Sequence, residues 1–156
     1  MENYKLAIIE LCLEKELLLA EIYRIFAARF SKHRLFWEAL AADETEHAGW
    51  VRFLREKADK SQLRYDEGKI KTYTVKTFID YLKGVLQEAK QPSFSSERAL
   101  SFTLDVERAL LERNVYGGFQ SRSDQDLQLL QLLQQGLRDH VNKAEAYVQQ
   151  QCKGCR

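Results

Sequence analysis

Ala42-Asp43-Glu44-Thr45-Glu46-His47-Ala48 is the stretch on which the reading of this chain turns. Glu44 and His47 are three residues apart, so on a helix they share one face. Phe36, Leu40, Val51 and Leu54 fall on that same face, which places a carboxylate and an imidazole inside an apolar stripe. Burying the two together is costly unless something pairs with them. A metal ion, or the remains of a site for one, is the simplest partner.

Working outward, the stripe predicts a second helix from about Arg34 to Lys60, preceded by a break at Ser31-Lys32-His33. A first helix from about Tyr4 to Phe30 shows Leu6, Ile9, Leu13, Glu16, Leu19, Ala20, Tyr23, Phe26 and Phe30 at steps of three and four. So short a break makes the two an antiparallel pair. The connection from Ser61 to Ser96 holds Gly68 and the single proline, Pro92, and is too long to be structureless in a compact domain. Thr77 to Ala89 predicts an extra short amphipathic helix, although the β-branched residues around Tyr73 to Ile79 also suit a strand. A third helix starts at Ser95 or Ser96 and shows Leu100, Leu104, Glu107, Leu111, Asn114 and Gly118. The fourth opens on Ser123-Asp124-Gln125-Asp126, a capping-box-like start, with Leu130, Leu133, Leu137, His140, Ala144 and Tyr147 as its stripe. The expectation is an all-α chain: an antiparallel four-helix bundle of the ferritin-like layout over residues 1–150, with a long crossover and a short Cys-x-x-Cys tail over 151–156.

Composition agrees with helix and excludes several function classes. There is one proline and there are seven glycines among 156 residues, a length typical of one domain. The 24 basic and 23 acidic side chains nearly cancel, which gives no support to a nucleic-acid or anionic-membrane partner. No apolar run approaches the roughly 20 residues of a membrane span. The opening Met-Glu-Asn-Tyr-Lys is not a secretory leader, and three cysteines are no disulfide framework. The expected setting is cytoplasmic.

The two hairpins echo each other, as a duplicated unit would. Each puts a glutamate mid-way along its first stripe and a histidine mid-way along its second. Dinuclear carboxylate bundles take one glutamate from each of two helices and Glu-x-x-His from each of the other two. Glu16, Glu44, His47, Glu107 and His140 fill five of those six positions, and Leu137 stands at the sixth. The bland alternative is that Glu-x-x-His arises by chance in a Glu-rich helix. His140 would then be a hydrogen-bonded core histidine, and Glu16, set among Glu10, Glu14 and Glu21, a solvated charge. Four stripes interrupted at matching depth argue for a site.

On these residues the chain resembles the rubrerythrin and ferritin-like diiron-carboxylate family over most of its length. Glu16-Leu-Leu-Leu-Ala-Glu-Ile-Tyr23 is similar to the family's first-helix pattern, a ligand glutamate with an aromatic seven residues on. Glu44-x-x-His47-Ala48 is similar to its signature, and Ala99 to Glu107 resembles the start of its third helix. The resemblance implies metal-ligand roles for Glu16, Glu44, His47, Glu107 and His140, with Tyr23 hydrogen-bonded to a ligand carboxylate. It implies iron, as one or two ions, with manganese or zinc also suited to such donors. It further implies a homodimer with oxidoreductase activity of a peroxidase or ferroxidase kind, acting on a small oxidant such as peroxide and fed by an unidentified electron donor.

Departures stand beside it. The fourth helix reads Leu137-Arg138-Asp139-His140, and Asp139 lies about 100° from His140 around the helix. Asn114 stands where the first hairpin has Tyr23. One Cys152-x-x-Cys155 pair cannot build a four-cysteine site, which leaves a redox or metal-scavenging pair or a tail of little consequence. Cys12 reads as a small buried apolar residue; Trp37, Trp50, Phe53 and Tyr81 read as core or subunit contacts. The alternative function is a non-enzymatic scaffold or interaction protein whose site has decayed.

Overall fold

Arg34 follows Phe30 by one tight turn, and that turn sets the first pairing of the fold. The computed structural model describes residues 2–58, 62–68 and 70–152, apart from the side chains of 2–4 and 152. Among the described residues, five α-helices make up most of the chain, so the all-α expectation holds. They are α1 (Glu2–Arg29), α2 (Arg34–Lys57), α3 (Thr72–Ala89), α4 (Ser96–Arg113) and α5 (Asp124–Cys152). The Ser31–His33 break is a 3-10 turn that reverses the chain and lays α2 along α1. His33 is buried within it and meets the Tyr147 hydroxyl of α5 at 2.5 Å.

The expected short extra helix is longer than the apolar spacing of Thr77 to Ala89 indicates, starting at Thr72 and burying Val75 along with Ile79, Leu82 and Leu86. The β-branched residues at its start are helical because tertiary burial of Val75 outweighs their modest preference for strand. α3 packs on α1, which gives α1 a second covered face. Ile8, Cys12, Lys15 and Ile22 are buried as well, outside the single stripe that the sequence predicts.

α4 differs from expectation in phase and in length. Ser95 caps it, accepting from the Arg98 amide at 3.1 Å. Its buried face is Ala99, Phe102, Thr103, Val106, Glu107 and Leu110, about one residue out of step with the expected face; only Glu107 belongs to both. The helix ends at Arg113 rather than running on to Gly118, because Asn114 adopts the left-handed conformation (φ 41°), which asparagine tolerates better than most residues. A 3-10 turn, Val115–Gly118, follows and buries Tyr116. Two short strands that the sequence did not announce, β1 (Arg64–Tyr65) and β2 (Phe119–Gln120), then pair antiparallel. They tie the crossover to the α4–α5 connection. Gly118 is required there, since a Cβ at this position would lie 2.6 Å from the Tyr65 ring.

Ser123 accepts from the Asp126 amide at the start of α5, as the capping pattern predicts. α5 packs against α4 and α2 and buries Leu130, Leu133, Leu137, His140 and Ala144. At the end of the core near the first turn, Phe26 meets Trp37, Phe94 and Phe102 at ring-centroid distances of 5.1, 5.6 and 5.9 Å. Trp37 is core, whereas Tyr81 is 54% exposed. No helix among the described residues is long and apolar enough to cross a membrane. α5 reaches Cys152, but its side chain and all of Cys155 lie outside the described residues.

Candidate metal centre

Four helices each deliver a polar side chain to one level of the core: Glu16 from α1, Glu44 and His47 from α2, Glu107 from α4 and His140 from α5. All five are at most 6% exposed. Carboxylates and imidazoles alternate across the core. Glu16 Oε2 lies 3.7 Å from His47 Nδ1, and His47 Nδ1 lies 3.6 Å from Glu44 Oε2. Glu44 Oε1 lies 2.9 Å from His140 Nδ1, which in turn lies 3.4 Å from Glu107 Oε2. Glu44 is thus central, touching both imidazoles. One donor atom from each of Glu44, His47 and His140 fits within 4.8 Å of the others, a spacing suited to a metal ion. Glu16 and Glu107 flank that trio, one beside each histidine.

Two of the inward-facing atoms have no hydrogen-bond partner. Glu16 Oε2 and Glu107 Oε2 are fully buried and unsatisfied, a costly state for carboxylate oxygens. Their outer oxygens are held. The Tyr23 hydroxyl donates to Glu107 Oε1 at 2.5 Å, and the Tyr116 hydroxyl donates to Glu16 Oε1 at 2.5 Å. Each tyrosine therefore crosses from one hairpin to a carboxylate of the other. Lys15 adds a second contact on Glu16 Oε1, at 3.2 Å.

Charge follows from this packing. Burial and the neighbouring Glu16 charge push the Glu44 carboxyl up to about 7. Burial works against protonated His47, yet Glu16 and Glu44 lift it to about 9. His140 is raised further, with burial opposed by Asp43, Glu107 and Glu44. Burial would raise Glu16, but the Lys15 ammonium holds it well below the usual carboxylate range. Tyr23 and Tyr116 are pushed well above 10 by burial and the adjacent carboxylates, so both remain donors.

Behind the donors stand groups that sequence spacing did not single out. Asp43 faces the outer Nε2 of His140 at 3.1 Å and is itself held by Lys143 at 2.8 Å. Carboxylates in that position fix the tautomer of metal-ligating histidines. Asp43 lies inside the quoted motif, where its place next to Glu44 was a usable signal. His47 rests against Trp50, at a 5.2 Å centroid distance, and over the backbone of Gly136. Tyr116 supplies the tyrosine that Asn114 lacks, arriving two residues later because α4 has already ended. Lys15, outside the apolar stripe of α1, is buried against Tyr116 of the 3-10 turn. Leu137 is buried and adds no carboxylate. No protein-family model, curated protein or solved structure gives a significant match to the chain.

Proposed function

We propose that this chain is a ferritin-like four-helix bundle, rubrerythrin-like in its centre, that binds a divalent metal, iron first, and handles peroxide- or oxygen-linked redox chemistry. The observation that carries the reading is the pair of buried, unpartnered oxygens, Glu16 Oε2 and Glu107 Oε2, each beside a histidine nitrogen. A cation beside either oxygen would satisfy it. Carboxylate and imidazole donors suit Fe(II), with Mn(II) and Zn(II) as competitors.

Glu16, Glu44, His47, Glu107 and His140 would hold the metal. Bound iron would supply electrons to a small oxidant such as peroxide, replenished by a separate donor. The remaining work falls to the protein. Tyr23 and Tyr116 keep the outer oxygens of Glu107 and Glu16 occupied, which leaves the inner oxygens free for a cation. With a metal bound, Asp43 would accept the Nε2 proton of His140 and leave the Nδ1 lone pair to the cation. The apolar core around them limits water. A homodimer in the cytoplasm is the setting we infer.

Leu137, apolar at the position of the missing carboxylate, favours a second reading: a scaffold or interaction protein whose centre has decayed. Anaerobic loading with Fe(II), followed by metal counting and a peroxide-consumption assay, separates the two. At least one iron per chain, oxidised as peroxide disappears, supports the redox reading. Bound metal without turnover supports the decayed centre, and no bound metal removes the metal-binding reading altogether.

A further inference from the structure

Lys15 is the buried charge that the proposed centre leaves unused. It is 1% exposed, with its ammonium 3.2 Å from Glu16 Oε1, 3.3 Å from the Tyr116 hydroxyl and 4.4 Å from the centroid of the Tyr116 ring. An ammonium is expensive to enclose in this way unless it balances charge. Metal binding requires deprotonated carboxylates and neutral imidazoles. Glu16, Glu44 and Glu107 then bring three negative charges into the core, and Lys15 cancels one. The excess of two matches one divalent cation. A second divalent cation would leave the core positive by two, in a medium that screens charge poorly.

The donor geometry allows it. Glu44, His47 and His140 offer atoms all within 4.8 Å of one another, close enough for one ion to take all three. Leu137 occupies the position from which a second bridging carboxylate would come. We propose that the centre takes a single divalent cation per chain, and that Lys15 supplies the charge a second metal would otherwise bring. This rests on the metal-binding reading above and narrows it.

The test is equilibrium dialysis of the metal-stripped chain against Fe(II), anaerobically, and against Zn(II), with metal counted per chain. Wild type is expected to saturate at one equivalent. Lys15→Met removes the ammonium's repulsion and should bind that equivalent roughly tenfold more tightly or better. Two equivalents in the wild type overturn the inference while leaving the metal-binding reading intact. So does a Lys15→Met chain that keeps its helical circular dichroism and binds no more tightly than wild type. No metal in either protein overturns the metal-binding reading and this inference together. Should Lys15→Met fail to fold, Lys15→Gln is neutral, can still hydrogen-bond Glu16 or Tyr116, and is judged by the same affinity.

Discussion

Asp43 on α2 reaches across to α5 and faces His140 Nε2 at 3.1 Å, on the side of the ring opposite Glu44 and Glu107. The imidazole is gripped through both nitrogens, so its orientation is set before any ligand arrives. Lys143 holds Asp43 in turn. Links of this kind behind a ligand histidine are generally worth 10–100-fold in metal affinity.

Asp43→Asn should therefore weaken metal binding by about tenfold, and Asp43→Ala by more, towards about a hundredfold. The Asp43 side chain is 34% exposed, so the fold should survive either change. Competitive titration with a chromogenic chelator gives the affinity, and circular dichroism checks the fold. Unchanged affinity in both variants would mean that His140 is oriented by Glu44 and Glu107 alone.

Tyr23→Phe tests the hydrogen bond between the hairpins. Phenylalanine preserves the ring packing but leaves Glu107 Oε1 without its donor, in a residue that is fully buried and already has one unpartnered oxygen. Hydrogen bonds to charged groups contribute about 1.5–3 kcal/mol, so the metal-free variant should lose roughly that much in urea denaturation. Metal should restore part of the loss by neutralising Glu107. An unaltered denaturation midpoint would show that the bond contributes nothing net.

The helices and the five polar positions were legible because they rest on periodicity. Glu16, Glu44, His47, Glu107 and His140 interrupt apolar stripes, and an interruption survives an error of phase, as Glu107 did when the rest of α4 turned by about a residue. Tyr116 was not legible, since it lies in a 3-10 turn created by the left-handed Asn114, and no helical period reaches it. Lys15 was hidden for a different reason. It is buried against Tyr116, 101 residues further along the chain, a long-range contact that local spacing does not encode. Gly136 matters only through the His47 ring laid over it.

Cys12 should be inert in the native protein. It is 1% exposed, and burial pushes its thiol up to about 12. The thiolate is the reactive form, so at pH 8 almost none is present and alkylating agents have no path to it. Iodoacetamide treatment followed by peptide mapping should leave Cys12 unmodified in buffer and fully modified in denaturant. Rapid native labelling would mean that α1 opens locally, and the Cys12 environment would have to be redrawn.

Gly136→Ala sets helix preference against the site. Alanine in a helix interior is favoured over glycine by about 0.8–1.0 kcal/mol, so stability alone predicts a gain. A Cβ at 136 would, however, lie 2.6 Å from His47 Nε2 and 2.8 Å from its Cε1. The ring has little room to yield, flanked by Trp50 and His140 at centroid distances of 5.2 and 5.1 Å. Displacing it draws Nδ1 away from Glu16 and Glu44, so metal affinity should fall and the clash should offset the gain from helix preference. Gly84→Ala on α3 is the control, because its Cβ would meet nothing within 4 Å. That variant should gain about 0.8–1.0 kcal/mol with metal binding unaltered. If both alanine variants gain stability and bind metal like wild type, the His47 ring is not held against α5 as described, and its place among the ligands falls with it.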